Sequence, residues 1–164
     1  MDIIQIVGYK NSGKTTLCTK LIETLVQNRY RTASLKHHGH GGIPVGLEET
    51  DSFKHKEAGA YITGVEGDGL LQLSSDNWKL EQLISIYELF EIDVLVMEGY
   101  KRANYPKIVM LRDEKDLSLL EELDNIIAVV SSVNVENFSI DYPIFSRLRL
   151  ADVCQFYLKY LIDN

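Results

Sequence analysis

The sequence contains only two cysteines, Cys18 and Cys154, and they lie far apart in the chain. Neither belongs to a Cys-x-x-Cys pair, the spacing typical of zinc knuckles and redox-active dithiols. The pattern therefore argues against a zinc knuckle and a disulfide framework, and it predicts two reduced thiols. Proline and glycine are also sparse, since only 3 prolines and 11 glycines punctuate the 164 residues.

Long hydrophobic runs and an excess of positive charge are both lacking. No stretch approaches the roughly 20 continuous apolar residues of a membrane span, and residues 1–5 lack the basic flank of a signal peptide. We therefore expect a cytoplasmic protein with no membrane contact. The 24 acidic residues outnumber the 17 Lys and Arg, for a net charge of −7. Because this charge repels a nucleic-acid backbone at long range, it argues against non-specific DNA or RNA binding.

What remains is typical of a soluble globular protein, with 45% hydrophobic and 25% charged residues. The length of 164 residues fits a single domain over residues 1–164. Strand and helix patterns alternate along it. The predicted strands are Ile3 to Val7, Thr32 to Lys36, Ile92 to Met97, Ile108 to Leu111 and Ile126 to Val130, and the predicted helices are the one carrying Leu17 to Leu25, Ser52 to Ala58, Leu80 to Leu89 and Ala151 to Ile162.

The alternation indicates an α/β fold with three layers, in which helices cover both faces of a mainly parallel sheet. Between the helices, Tyr61 to Val65 and Leu70 to Leu73 flank the turn sequence Glu66-Gly67-Asp68-Gly69. Two short apolar runs separated by a few turn residues that include glycine are typical of a hairpin. The sequence therefore predicts an antiparallel hairpin as an excursion from the sheet.

The most specific motif is Gly8 to Thr15, which matches G-x-x-x-x-G-K-[ST] at every fixed position. It lies between an apolar strand and an amphipathic helix, as a phosphate-binding loop does. Its backbone N–H groups and the positive end of the helix would hold the phosphates of a purine nucleoside triphosphate. Lys14 would reach the β- and γ-phosphates, and the Thr15 hydroxyl would ligate Mg²⁺. The predicted nucleotide-binding residues are Gly8, Tyr9, Lys10, Asn11, Ser12, Gly13, Lys14, Thr15 and Thr16.

Carboxylates on neighbouring segments are candidates for completing the magnesium site. Asp93 and Glu98 bracket one strand, and ligands bind at the carboxyl ends of parallel strands, so Glu98 is the candidate for Mg²⁺ or for the attacking water. Asp51 follows a long loop, and it could hold Mg²⁺ or cap the helix that begins at Ser52. Asp51 and Glu98 are the catalytic candidates, and Thr15, Asp51 and Glu98 are the metal-binding candidates.

Three of the four histidines, His37, His38 and His40, lie within four positions at the start of a loop that runs to Glu49. With His55 they could ligate a metal. A polar loop near phosphates explains the composition equally well, since no cysteine lies nearby.

Four segments together resemble the MobB family of molybdopterin-guanine dinucleotide biosynthesis adaptor proteins. They are Gly8 to Thr16, Ser34 to His40, Asp51 to Ala60 and Asp93 to Lys101, and the likeness extends through about Val130. The phosphate-loop motif occurs in many families. The ordered segments Lys-His-x-x-His, Asp-Ser-x-x-x-x-x-Ala-Gly-Ala and Glu-Gly-Tyr-Lys are far more selective.

The resemblance implies a homodimer that binds GTP with Mg²⁺ and hydrolyses it slowly at most. It also implies a partner, the MobA-like guanylyltransferase that joins GMP to molybdopterin. Lys14 and Thr15 would contact phosphate and magnesium, with Asp51 and Glu98 beside them. His37, Lys101 and Arg102 become candidates for contact with molybdopterin or the partner, although Lys101 and Arg102 could also be a basic pair on a surface loop.

Two alternatives remain open at this stage. A small-molecule kinase would use the His37 to Glu49 loop with Lys101 and Arg102 as its acceptor site. A metal-insertion GTPase would use His38 or His40. The sequence contains no Asn-Lys-x-Asp motif for reading guanine, so the preference for GTP rests on the resemblance. It also shows no obvious catalytic arginine, which is why the adaptor hypothesis predicts slow hydrolysis. Ser131 and Ser132 are weak candidates for lining the base pocket.

Overall fold

A computed structural model describes residues 1–38, 51–133 and 141–164 of the chain. The chain forms two compact units, one of residues 1–39 with 87–164 and one of residues 40–86. The single domain over 1–164 stays a prediction. In chain order the elements are β1 (Asp2–Gly8), α1 (Lys14–Gln27), β2 (Thr32–Lys36), α2 (Asp51–Glu57), β3 (Thr63–Gly67), β4 (Leu70–Ser74), α3 (Leu80–Glu88), β5 (Val94–Glu98), β6 (Lys107–Leu111), a 3₁₀ helix (Glu114–Ser118), α4 (Leu119–Glu122), β7 (Ile126–Ser131), β8 (Ile144–Ser146) and α5 (Leu150–Asp163).

The first unit is built on a six-stranded sheet in the order β2-β5-β1-β6-β7-β8. Every neighbouring pair is parallel. The carboxyl ends of all six strands therefore meet at one edge of the sheet, where open α/β sheets bind their ligands. The phosphate loop follows the central strand β1, so residues after the strands on either side of it can reach the loop.

Side chains alternate between two cores because successive residues of a strand point to opposite faces. On one face, residues such as Ile4, Ile6 and Met110 pack against helices α1 and α5. On the other, Val7, Val109 and Val129 pack with Leu117 of the 3₁₀ helix and Leu119 of α4. The sheet lies between two helical layers, which confirms the predicted three-layer α/β fold.

The second unit contains the predicted hairpin. Strands β3 and β4 pair antiparallel, with Gly67 opposite Leu70. Asp68 and Gly69 join them at φ 52° and 77°. Two successive positive φ values are those of a type I′ turn, whose twist matches that of paired strands, and Asp-Gly tolerates them. Helix α2 lies in this unit, while α3 begins in it and ends in the first unit.

The structure also contains elements that the sequence reading did not predict. Strand β8 has three residues and follows Pro143, and helix α4 has four residues. Segments this short carry too few residues to show a period. In the parts of the chain that the structure describes, no helix is long and apolar enough to cross a bilayer.

Both cysteines are buried as free thiols. Burial is the main cause that raises the pKa of Cys18 to about 12 and also raises the pKa of Cys154. Both side chains are therefore protonated near neutral pH and pack as small apolar groups.

Candidate functional site

The loop between β1 and α1 ends in a left-handed glycine that turns the chain into the helix. Gly13 has φ 92°, a conformation that disfavours any residue with a Cβ. The first helical hydrogen bond runs from the Leu17 N–H to the Gly13 carbonyl, at 3.1 Å. The N–H groups of Lys14, Thr15 and Thr16 therefore lie in the first turn, where helix amides have no partner one turn back. The first turn contains no acidic residue, so its positive end is available to an anion.

The start of the loop passes very close to the neighbouring strand β6. Gly8 pairs with Met110 in the parallel register. A Cβ at Gly8 would lie 2.8 Å from the Met110 carbonyl oxygen and 2.6 Å from Ser12 Oγ. Only glycine fits here, which gives the first fixed glycine of the motif a structural cause.

Lys14 folds over the loop that carries it. Its Nζ donates to the Tyr9 carbonyl oxygen at 2.7 Å, which holds the ammonium at the mouth of the loop. Burial is the main cause that lowers the pKa of Lys14, the positive charges of Lys36 and Arg112 lower it further, and Glu98 opposes them. Three cations thus converge on this loop in a chain whose net charge is −7. Their mutual repulsion is relieved by an anion, so the arrangement favours binding a polyphosphate.

A hydroxyl, a carboxylate and an ammonium meet beside the loop. Thr15 Oγ1 donates to the carboxylate of Glu98, at 2.9 Å from Oε2 and 3.1 Å from Oε1. Lys36 Nζ lies 3.0 Å from Glu98 Oε1 and 3.4 Å from Thr15 Oγ1. The oxygens of Thr15 and Glu98 thus already attract a cation. Such oxygen donors suit Mg²⁺, so these residues fit the metal that the sequence predicted.

At the opposite end of β5, Asp93 has a different environment. Its carboxylate accepts a hydrogen bond from the Arg31 N–H at 2.7 Å. The structure therefore places Glu98, and not Asp93, beside the loop.

Arg112 supports the loop from the end of β6. Its Nη1 donates to the Lys10 carbonyl at 2.9 Å. The fully buried Asp116 accepts the Arg112 N–H at 2.9 Å, and its carboxylate lies 3.4 Å from Arg112 Nε. Arg112 Nε is also 3.1 Å from Asp113, although neither carboxylate is aligned for a hydrogen bond with it. The pairs fix Arg112 in place. The Lys10 side chain itself is exposed.

The segment after β5 returns past the base of the loop. The buried Gln5 donates to the carbonyls of Gly99 and Tyr100, at 3.2 and 2.7 Å, and accepts the Tyr105 N–H. The residue after Tyr100, Lys101, lies against the loop, with its Nζ 3.7 Å from the centre of the Tyr9 ring. Burial is the main cause that lowers the pKa of Lys101, and the nearby charge of Lys14 adds to it.

Lys101 and Arg102 line a cavity of about 170 Å³, together with Asn104, Lys107, Glu122 and Asp124. Lys107 is buried, and its Nζ donates to the Tyr105 carbonyl at 3.0 Å. The wall thus carries charges of both signs. Contact of Lys101 and Arg102 with molybdopterin or a partner stays a prediction.

The remaining candidates lie in different surroundings. The His37 N–H donates to the Glu98 carbonyl at 3.0 Å, and its ring lies 4.7 Å from that of Tyr100. Asp51 is the first residue of α2 in the second unit, where its carboxylate pairs with Lys54 at 2.8 Å. Its role in metal binding stays a prediction. His40, on which part of the histidine-metal hypothesis depends, lies outside the described residues.

Three cationic residues at the site were given no role from the sequence, namely Lys36, which lies in the Lys-His-x-x-His segment, Arg112 and Arg147. The guanidinium of Arg147 lies against Gly13, with Nη2 3.0 Å from where a Cβ would be. Each of the three follows or ends a strand whose carboxyl end meets the loop. A search for basic residues at the predicted strand ends would have found Lys36 and Arg112. Arg147 follows the unpredicted β8, so no such search would have reached it.

Comparison with known proteins places this chain and its fold in one family. The family model described as "Molybdopterin guanine dinucleotide synthesis protein B" (MobB) matches residues 3–132. A probable molybdopterin-guanine dinucleotide biosynthesis adapter protein of Bacillus subtilis is 46% identical over 130 residues, which cover 78% of this chain and 75% of that protein. The corresponding Haemophilus influenzae adapter protein is 30% identical over 98% of this chain and 90% of its own.

Solved structures show the same likeness over the full length. The crystal structure of Bacillus subtilis MobB has a TM-score of 0.77 and 37% identity, covering 97% of both chains. The structure of a MobB homolog from Bacillus stearothermophilus has a TM-score of 0.72 and 36% identity, covering 99% of this chain and 97% of that one. With a matching family model, close relatives and a shared fold, the chain belongs to the MobB family.

Proposed function

We propose that this protein binds GTP with Mg²⁺ at the Gly8 to Thr15 loop and acts as an adapter in molybdopterin guanine dinucleotide biosynthesis. Its partner would be the guanylyltransferase that joins GMP to molybdopterin. The observation that carries the nucleotide part is the convergence of Lys14, Lys36 and Arg112 on a loop whose helix begins without an acidic residue. The adapter part rests on membership of the family.

Magnesium would be held by Thr15 and Glu98 when the nucleotide binds. It would neutralise charge on the β- and γ-phosphates, which Lys14 also contacts. Lys36 must then leave Glu98 or share it with the metal, because its ammonium now lies within 3.4 Å of both donor residues.

Replacement of Lys36 by Met tests this competition. The variant should reach half-maximal Mg²⁺ saturation at roughly a three- to tenfold lower concentration, because an ammonium no longer neutralises Glu98. The measurement is a Mg²⁺ titration at saturating concentration of a non-hydrolysable GTP analogue. Lys20→Met is the matched control, since Lys20 forms an exposed pair with Glu23 on α1. A higher Mg²⁺ requirement in Lys36→Met would show that Lys36 assists the metal instead.

Hydrolysis by the protein alone should be slow. Arg112 donates to the Lys10 carbonyl and pairs with Asp116, so it supports the loop and is not free to follow charge as it develops on the γ-phosphate. Glu98 is engaged by Thr15 and Lys36, which leaves it poorly suited to activate water. Rapid nucleotide consumption that depended on an added metabolite would favour a kinase over the adapter.

The adapter role is tested by reconstitution with a molybdopterin guanylyltransferase of the same organism. The expected result is that this protein increases formation of the guanine dinucleotide cofactor, and that Lys14→Ala does not. Lys20→Ala should retain the effect. An equal yield with and without the wild-type protein, under conditions where it is shown to bind Mg²⁺ and GTP, would remove the adapter role and leave nucleotide binding standing.

A homodimer is part of the same proposal. The β3–β4 hairpin exposes large apolar side chains, including Leu70 and Leu71, which a second copy could cover. Sedimentation equilibrium gives the mass in solution directly, and a monomer at micromolar concentration would contradict this element alone.

A further inference from the structure

The guanidinium of Arg147 lies beside Gly13 of the phosphate loop. It follows β8, and its N–H donates to the Ser131 carbonyl at the end of β7, at 3.1 Å. A Cβ on Gly13 would lie 3.0, 3.2 and 3.3 Å from Nη2, Nε and Cζ of Arg147. These distances place the Nε and Nη2 edge of the guanidinium beside the glycine. Because Gly13 has no side chain, the Arg147 guanidinium can approach the loop this closely.

The charge of Arg147 has no acidic partner within the described part of the chain. Two positions further on, Arg149 pairs with Asp152 at 2.8 Å, and Arg112 pairs with Asp113 and Asp116. Arg147 is exposed and makes no such pair among the described residues. Its planar fork of N–H donors therefore lies beside the loop and is available to a ligand.

Strand order determines which part of a bound nucleotide lies near Arg147. Thr15, Glu98 and Lys36 form the metal end of the site, on the side of β1 where β5 and β2 lie. Strands β6, β7 and β8 lie on the other side of β1. A triphosphate whose metal-bound end lies towards β5 therefore places its nucleoside towards β7 and β8. Arg147, which follows β8, lies on this side of β1.

We infer that Arg147 selects guanine by donating two hydrogen bonds to the O6 and N7 atoms of the base. This edge of guanine presents two acceptors, whereas the same edge of adenine presents one acceptor and one donor. A guanidinium offers only N–H donors, so it pairs with both acceptors of guanine but meets a donor in adenine. The assignment rests on the proposed binding of GTP, and it supplies the guanine-reading group that the missing Asn-Lys-x-Asp motif leaves open.

The test compares Arg147→Met with the wild type by calorimetric titration of four ligands with Mg²⁺. The ligands are GTP, ITP, ATP and inorganic tripolyphosphate. ITP keeps O6 and N7 but lacks the 2-amino group, so the wild type should bind it nearly as tightly as GTP and bind ATP more weakly. Arg147→Met should weaken GTP and ITP binding roughly 10- to 100-fold, the range expected for one bidentate base contact, and change ATP and tripolyphosphate binding less than about threefold.

Arg149→Met is the matched control, because it removes an arginine of the same turn that already pairs with Asp152. It should leave all four affinities unchanged, and thermal melts should show that both variants fold. Equal weakening of all four ligands would overturn the inference and make Arg147 a phosphate ligand. An unchanged GTP to ATP ratio, or wild-type ITP binding as weak as ATP binding, would also overturn it. Failure of the wild type to bind any triphosphate would instead overturn the proposed function, and this assignment with it.

Discussion

Replacement of Lys14 by Ala should lower the affinity for Mg²⁺–GTP by about 100- to 1,000-fold, or about 2.7 to 4 kcal/mol. Lys14 now donates to the Tyr9 carbonyl at 2.7 Å from a half-buried position. Its ammonium would exchange that carbonyl for the β- and γ-phosphates, and charge-assisted hydrogen bonds of this kind are stronger than neutral ones. Isothermal titration calorimetry at fixed ionic strength measures the change.

The fold should survive this substitution. Loss of the bond to Tyr9 removes one hydrogen bond, which is expected to cost about 1 kcal/mol of stability. Lys20→Ala controls for the loss of a positive charge from the same helix, because Lys20 forms an exposed surface pair with Glu23. Wild-type affinity in a folded Lys14→Ala protein would remove the phosphate assignment from this loop.

Replacement of Gly8 by Ala should have the second large effect, a loss of about 2 to 4 kcal/mol in the free energy of unfolding. The added methyl would lie 2.8 Å from the Met110 carbonyl oxygen, which is fixed by the register of β1 and β6. Backbone cannot move aside without breaking that pairing. Ser12 Oγ, at 2.6 Å, would also have to move. Urea unfolding followed by circular dichroism measures the loss.

Gly67→Ala is the control for adding a methyl group to a glycine in a strand. A Cβ at Gly67 meets no heavy atom within 4 Å, and its φ is not positive. Its stability should stay within about 0.5 kcal/mol of the wild type. If Gly8→Ala were as stable as Gly67→Ala and still bound Mg²⁺–GTP, the close approach of the loop to β6 would not constrain the site.

The central features of the fold were predictable because they depend on local sequence. The strand, loop and helix around Gly8 to Thr15 are adjacent in the chain, so periodicity and motif together predict them. Glu98 could be preferred over Asp93 from strand direction alone, and the structure places its carboxylate 2.9 Å from Thr15. The hairpin was likewise predictable, because its turn residues, Glu66 to Gly69, are adjacent in the sequence.

The charged surroundings of the loop could not be predicted in this way. Arg112 follows the Lys10 it contacts by 102 positions, and Arg147 reaches Gly13 only because β8 joins the edge of the sheet. Their proximity follows from strand order, which no single segment encodes. The short β8 and α4 add to the difficulty, since three or four residues hold no readable period.

A crystal structure of the protein with a non-hydrolysable GTP analogue and Mn²⁺ in place of Mg²⁺ tests the central claim most directly. The account predicts that the amides from Tyr9 to Thr15 surround the β-phosphate. It also predicts an anomalous Mn²⁺ peak at about 2.1 Å from Thr15 Oγ1, a distance usual for Mg²⁺, with Glu98 bound directly or through water. A nucleotide bound away from the Gly8 to Thr15 loop, or a metal without Thr15 among its ligands, would contradict it.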